Sequence, residues 1–452
     1  MLLRRYVSEN EAKQHHLIPG TSHPSPNTVS WGVEAQPSPG GAKPRRSIKL
    51  KSKTSFSVGE DKWLRSMLAV IDVAHVPTGC GTWPAFWMAN ENSWPRYGEV
   101  DIIESTNQDT EVSTTLHTCG DASAHSTQNP NHCSGATKCT MESVSTDLFT
   151  GTWAAGNGAP AAFNCDINAP GQYQNQGCSI HGGPGTVGSA LNDGGGGIFA
   201  TEWSMKDLSD GNASKDGGDD LDPLDVPHIA MWFFPRKDLP LGDEMWGAQP
   251  DTKAWVAAGH KPYAYFRLGK ENCDPKHFSE QQLIFDTTLC GDNAGAKWGS
   301  SGCATTSCDP GKTCKPQCEA FVRNSSSTFA EAYWEVYNVS VWGVKTGIPR
   351  PHPPGTPTEE MSSYVIVVGV VLGMCIVGCC GYKCWVESRD AEFNRVGRRA
   401  EINARLADDS GWEYAHEKQS SGRYGKPHVA APDVNGARAA LIRVLVLLLS
   451  LG

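Results

Sequence analysis

Helical periodicity is nearly absent from this chain of 452 residues, so a helical bundle is excluded as its architecture. An excess of positive charge is also missing. Lys and Arg number 39 against 49 Asp and Glu, and the net charge of −10 argues against a nucleic-acid partner. The opening stretch "MLLRRYVSENEAKQHH" has no apolar core region and does not read as a secretory signal peptide. Twelve cysteines precede residue 360, and none of them follows the paired C-x-x-C spacing of a zinc ribbon. Their even number instead predicts disulfides in an oxidising compartment, with the pairing left open.

One further absence is local. "YVIVVGVVLGMCIVGCCGY", Tyr364 to Tyr382, carries no charged residue and is long enough for a transmembrane helix. Glu359 and Glu360 precede it; Lys383, Arg389, Arg395, Arg398 and Arg399 follow. The positive-inside rule then places residues 383–452 in the cytoplasm as a tail and the larger N-terminal part outside. Three N-glycosylation sequons, beginning at Asn212, Asn324 and Asn338, lie on that outer side. Residues 346–363, which include "PRPHPPGTP", read as a proline-rich stalk.

What is present is a series of short apolar strands separated by Gly, Asn and Asp. "SIKLKSK", "SMLAVIDVAHVP", "TWPAFWMA", "EVSTTLHTC", "GGIFATEWSM", "HIAMWFFP" and "QLIFDTTLC" are examples. This pattern predicts an all-β sandwich or barrel. The best helical candidate is "SSTFAEAYW". Residues 1–46 are polar, rich in Gly, Pro and Ser, and predicted to hold little regular structure. Asp207–Asp225 reads as an exposed acidic loop rather than a calcium site, and Ser300–Cys318 as a disulfide-stapled loop.

The stretch "WPRYGEVDIIES" places Glu99 and Asp101 two residues apart, on one face of a strand, while Glu104 falls out of phase. A β-bulge at Ile102–Ile103 would return Glu104 to the face of the other two. Two carboxyl groups on one surface suit double-displacement glycoside chemistry, in which one attacks the anomeric carbon and the other protonates the leaving oxygen. A third acid between them can hold a proton and separate their pKa values. That chemistry calls for Glu104 to titrate above Glu99. Trp83, Trp87 and Trp94 flank the acids and offer flat faces for sugar rings.

"GCGTWPAFWM" followed by "SWPRYGEVDIIES" resembles the signature of glycoside hydrolase family 16, in the bulged E-x-D-x-x-E form of its laminarinase-like members. "STTLHT", "NCDINAPGQ", "GIFATEW", "MWFFPR" and "EAYWEVYNVSVW" follow in the order of fungal endo-1,3(4)-β-glucanases, so the resemblance runs from about Tyr6 to Trp342. It implies a concanavalin A-like β-jelly-roll of two curved antiparallel sheets, with the catalytic domain over residues 47–345, ahead of the one C-terminal transmembrane helix that the uncharged run predicts at 364–382. It implies Glu99 as nucleophile, Glu104 as general acid/base, Asp101 as assisting carboxylate and His117 as a cleft histidine. Trp83, Trp87, Trp94, Trp203 and Trp232 become candidate sugar platforms. The implied partner is a β-glucan, hydrolysed with retention and without a cofactor; no metal ligand set is assigned. The implied setting is a single-pass membrane protein in cell-wall glucan metabolism. The resemblance also leads to the expectation that a leader and opening strands are missing ahead of Met1. A glucan transglycosylase and a non-catalytic β-glucan sensor are the alternatives.

Overall fold

The computed structural model describes residues 4–18, 25, 27–37, 41, 43–59, 61–119, 138–205, 222–239, 250–269, 271–308, 314–325, 328–348 and 412–414. The transmembrane and tail segments expected at 364–382 and 383–452, Asn212, and most of the stalk and of the acidic loop lie outside the described residues, apart from the short strand at 412–414. Among the described residues, no helix is long and apolar enough to cross a membrane.

Two antiparallel sheets make up the fold. The six-stranded sheet runs in the order β13 (Ala264–Arg267), β12 (His228–Pro235), β11 (Gly197–Ser204), β5 (Leu64–His75), β15 (Tyr333–Lys345), β2 (Val29–Gly32). The eight-stranded sheet runs β16 (Trp412–Tyr414), β4 (Leu50–Phe56), β14 (Gln281–Leu289), β6 (Thr82–Ala89), β7 (Glu99–Glu104), β8 (Ser113–His117), β10 (Cys178–His181), β9 (Thr152–Trp153). A small parallel pair joins β1 (Arg4–Tyr6) to β3 (Arg45–Ser47).

The alternation of each strand explains the stacking. Along β7, buried Val100, Ile102 and Ile103 belong to the main core together with Phe86 and Met88 of β6 and Leu116 of β8. Met67, Ala69, Ile71 and Val73 of β5 line the same core from the other sheet. Side chains at the intervening positions therefore face away from the partner sheet. A second, smaller core gathers Leu289, Trp298, Val322 and Phe329 around Cys290, Cys303, Cys314 and Cys318.

Disulfides join Cys80 to Cys303, Cys139 to Cys273, Cys165 to Cys178, Cys290 to Cys318 and Cys308 to Cys314, and Cys119 is also oxidised. This agrees with the disulfide reading of the cysteine count.

Two sequence expectations need correction. Residues before 47 are not sparse in structure. They hold a helix at Glu9–Gln14 and three strands; β2 pairs with β15, and Val7, Ala12, Leu17 and Trp31 enter the core. The polar composition there hid a few well-spaced apolar anchors. The helix expected at "SSTFAEAYW" is also misplaced. Residues 328–331 form turns leading into β15, and the helix lies just upstream at Lys315–Asn324. Its Cys318 and Val322 are buried against the smaller core, which selects this segment over its neighbour.

Candidate active site

The three acids of β7 converge because the strand carries a bulge. On one side, Glu99, Asp101 and Glu104 register with Ala89, Trp87 and Ala85 of β6. On the other, they register with His117, Thr115 and Ser113 of β8. Both neighbours present alternate residues, which share one face, so all three acids point to the outer face of the eight-stranded sheet. The register slips by one between Asp101 and Glu104, and Ile102 and Ile103 are both buried on the core side. The entry to β7 is equally constrained. Gly98 has φ +68°, and a Cβ there would come within 2.7 Å of the His277 carbonyl oxygen and the Phe278 ring.

Each acid has defined partners. The Trp94 indole N–H donates to Glu99 Oε2 at 2.5 Å. The Trp83 indole N–H donates to Glu104 Oε1 at 2.6 Å, and the Asn293 amide reaches the same oxygen at 3.3 Å. His117 Nε2 lies 3.1 Å from Asp101 Oδ2. Asp101 and His117 are both buried. The ligand atoms of Glu99, Asp101 and His117 lie within 4.8 Å of one another, which is compact enough for a cation. Asp101 is already engaged by His117.

The electrostatics separate the acids. Burial, and then the Asp101 charge, push Glu99 well above the ordinary carboxylate range. Burial, and then the Glu104 charge, do the same to Asp101. Glu99 and Asp101 are hydrogen-bonded to each other. Two carboxyl groups can make that bond only with a proton between them. In the resting site burial therefore holds Glu99 up beside its neighbour.

The sugar-platform candidates divide. Trp83, Trp87 and Trp94 are partly exposed around the acids, and Lys49 Nζ sits 4.9 Å over the Trp87 ring. Trp203 and Trp232 belong elsewhere. Trp203 is buried between the sheets against Phe278. Trp232 is buried on the far side of the six-stranded sheet, edge-on to Trp255 of the helix Thr252–Ala257, with its N–H donated to the His260 carbonyl. Neither can meet a ligand at the acids, which corrects their candidacy. Asn324 and Asn338 are both exposed.

Several site residues escaped the sequence reading. Asn293 reaches Glu104 from the segment after β14. Asp286 of β14, opposite Ala85, accepts a 2.9 Å hydrogen bond from the Tyr6 hydroxyl and is pushed up by burial. His181 of β10, two strands from β7, is pushed down by burial and by Lys297, while the Glu104 charge opposes that shift. None lies in a motif; strand pairing brings in Asp286 and His181, the turn after β14 brings in Asn293, and only the position of β14 as the partner of β6 could have pointed to Asp286.

Against known families, the profile of the XgeA-like catalytic GH16 domain matches residues 4–210 and 209–342. An endo-1,3(4)-β-glucanase of Arthroderma benhamiae is 31% identical over 350 residues, which cover 76% of this chain and 60% of that protein. The chain spans less than two thirds of the length of these curated relatives. Among solved structures, an elongating GH family 16 β-1,3-glucosyltransferase aligns at 29% identity with a TM-score of 0.53, over 75% of this chain and 89% of its own. Laminarinase 16A from Phanerochaete chrysosporium, solved with β-glucans in its donor and acceptor sites, aligns at 27% identity with a TM-score of 0.54, over the same shares.

Proposed function

The chain belongs to glycoside hydrolase family 16, and from that premise we propose that it is a retaining endo-β-glucanase acting on β-1,3 or mixed β-1,3/1,4 glucan. The observation that carries this reading is the bulge in β7, which sets Glu99, Asp101 and Glu104 on one face between Trp83, Trp87 and Trp94.

In the first displacement, Glu99 attacks the anomeric carbon. The glycosidic C–O bond breaks, and Glu104 gives its proton to the departing oxygen. In the second, Glu104 takes a proton from water, whose oxygen attacks the same carbon and releases Glu99. Two inversions leave the product β. Asp101 lets Glu99 ionise at the right moment. The proton shared in the resting pair passes wholly to Asp101, which then donates a hydrogen bond to the charged Glu99. His117 fixes the Asp101 carboxyl in place. Trp83 and Asn293 hold Glu104 toward the leaving group.

A second reading has a specific observation behind it. The similarity to a β-1,3-glucosyltransferase supports a transglycosylase, in which a sugar hydroxyl replaces water in the second step. The names of the glucanase relatives and the bulged E-x-D-x-x-E spacing support hydrolysis. A non-catalytic sensor is disfavoured because both glutamates are present. We also propose that the domain works outside the cell or in a luminal compartment, tethered through 364–382, in cell-wall glucan metabolism. The uncharged run, its flanking charges and the disulfides support that setting.

The test is a product assay on laminarin and barley mixed-linkage glucan, read by chromatography and anomeric NMR. Shorter products in the β configuration establish the retaining hydrolase and its linkage preference. Longer chains at constant reducing ends would replace it with the transglycosylase. Initial release of the α anomer would overturn the double displacement.

A further inference from the structure

We propose that Asn338 carries an N-linked glycan whose first sugar lies across Trp342, on the face of the molecule opposite the acids. Asn338, Val339 and Ser340 form a sequon on β15. Asn338 is exposed, and its amide donates to Ser340 Oγ at 2.6 Å. Residues 338, 340 and 342 alternate along the strand and so share one face. In register they oppose Asp72, Val70 and Leu68 of β5. These side chains line a hollow of about 200 Å³ formed by Val70, Asp72, Asn338, Ser340 and Trp342. Trp342 also borders the adjoining hollow of about 520 Å³ that continues toward Thr252. A tryptophan half-packed against the core thus stands four residues along the same face from a glycan acceptor, with open space beside it.

The chemistry suits an N-acetylhexosamine linked to asparagine. The indole face stacks on the C–H face of the pyranose, much as aromatic rings pair through their π faces. The Asp72 carboxylate is paired with Arg236 and keeps lone pairs for the acetamido N–H of the sugar. Exposed Val344 next to Trp342 is apolar surface that a sugar could cover. The transfer itself uses a lipid-pyrophosphate-linked oligosaccharide. Asn338 Nδ2 bonds to sugar C1 as the C1–O bond to the pyrophosphate breaks. The lipid pyrophosphate leaves with the electron pair, and the amide loses one proton to a base of the transferase. The other sequons offer less. The Asn324 amide is turned back onto the Ala320 carbonyl, while Ser326 and Asn212 lie outside the described residues.

The experiment uses the full chain, directed through a eukaryotic secretory pathway by an added leader. Peptide mass spectrometry should find Asn338 occupied. One sample is then trimmed by an endoglycosidase that leaves a single N-acetylglucosamine, and another is stripped by an amidase. The trimmed protein should keep its melting temperature and tryptophan emission. The stripped protein should melt lower by about 2 °C. Because the amidase leaves an aspartate at the acceptor position, Asn338→Asp should match the stripped protein and show no difference between the two treatments, and Trp342→Ala should bring trimmed protein down to the melting temperature of that unglycosylated aspartate form made in the same background. An unoccupied Asn338 in folded, secreted protein overturns the proposal. So does equal melting of trimmed and stripped wild type, which would mean a glycan attached but not seated on Trp342. Glucan hydrolysis should be the same for all these forms, so its loss would bear on the proposed activity and not on the glycan.

Discussion

Both sheets carry an acid, a histidine and a tryptophan on the faces they turn away from the core, yet the two groups have opposite characters. On the eight-stranded sheet, Asp101 meets His117 at 3.1 Å while Glu99 and Glu104 crowd beside it. On the six-stranded sheet, Glu202 lies 3.5 Å from His228 and accepts a 2.7 Å hydrogen bond from Thr252, under the helix Thr252–Ala257 that also seals Trp232. One acid in the second group finds one histidine and one hydroxyl. Three acids in the first share a single histidine, and burial leaves two of them competing for a proton. Residue types alone do not separate the proposed catalytic cluster from a structural one. The number of unpaired charges and the cover over them do.

Breaking the first group should have the larger consequences. Glu99→Gln is expected to lower kcat on laminarin by roughly 10⁴-fold or more while glucan binding persists, because the proposed nucleophile is lost and the tryptophans remain. Stopped turnover assays beside affinity electrophoresis check this, and near-wild-type turnover would remove Glu99 from its role. Glu104→Gln should cost about 10²–10⁴-fold, and much less with an aryl β-glucoside whose phenolate needs no proton to depart. An equal loss on both substrates would argue against Glu104 as the acid.

Asp101→Asn should have a smaller effect on rate and a diagnostic effect on pH. Its charge raises Glu99, so its removal should shift the acidic limb of the kcat/KM profile to lower pH. An unmoved limb would mean that Asp101 does not govern Glu99.

The corresponding change on the other sheet, Glu202→Gln, should leave kcat/KM unchanged. It should cost about 1–3 kcal/mol of stability through the disturbed hydrogen bonds to Thr252 and His228. Urea denaturation and the laminarin assay together test that contrast.

The smallest effect concerns stability against pH. Glu99 and Asp101 have folded pKa values raised above their unfolded values, so the native state binds more protons than the unfolded one. Stability should therefore fall as pH rises from about 4, the unfolded value, through the folded values. Glu99→Gln should flatten that slope and be the more stable protein at neutral pH. A steeper slope in the variant would contradict the assignment of the buried proton.

The acidic face was legible to an unusual degree because its signal is a phase error. Glu104 is out of step with Glu99 and Asp101 by one residue, and a single bulge restores it, which can be reasoned from the two-residue repeat alone. Trp203 and Trp232 were not legible. Each lies in an alternating strand, and alternation says which residues share a face but not which sheet or which side of it faces a ligand. The N-terminal segment was misread for a related reason. Its four anchors, Val7, Ala12, Leu17 and Trp31, are too widely spaced to show a period, yet each reaches the core.

The sequence by itself determined the all-β class, the oxidised cysteines, the family and the bulged acidic strand, because these rest on local spacing and residue chemistry. Only the tertiary structure decided that Asn293, Asp286 and His181 join the acids and that Trp203 and Trp232 do not. Those neighbours are brought together by strands, and by the turn after β14, far apart in the chain, and burial between two sheets is a property of the stacked fold that no single segment carries.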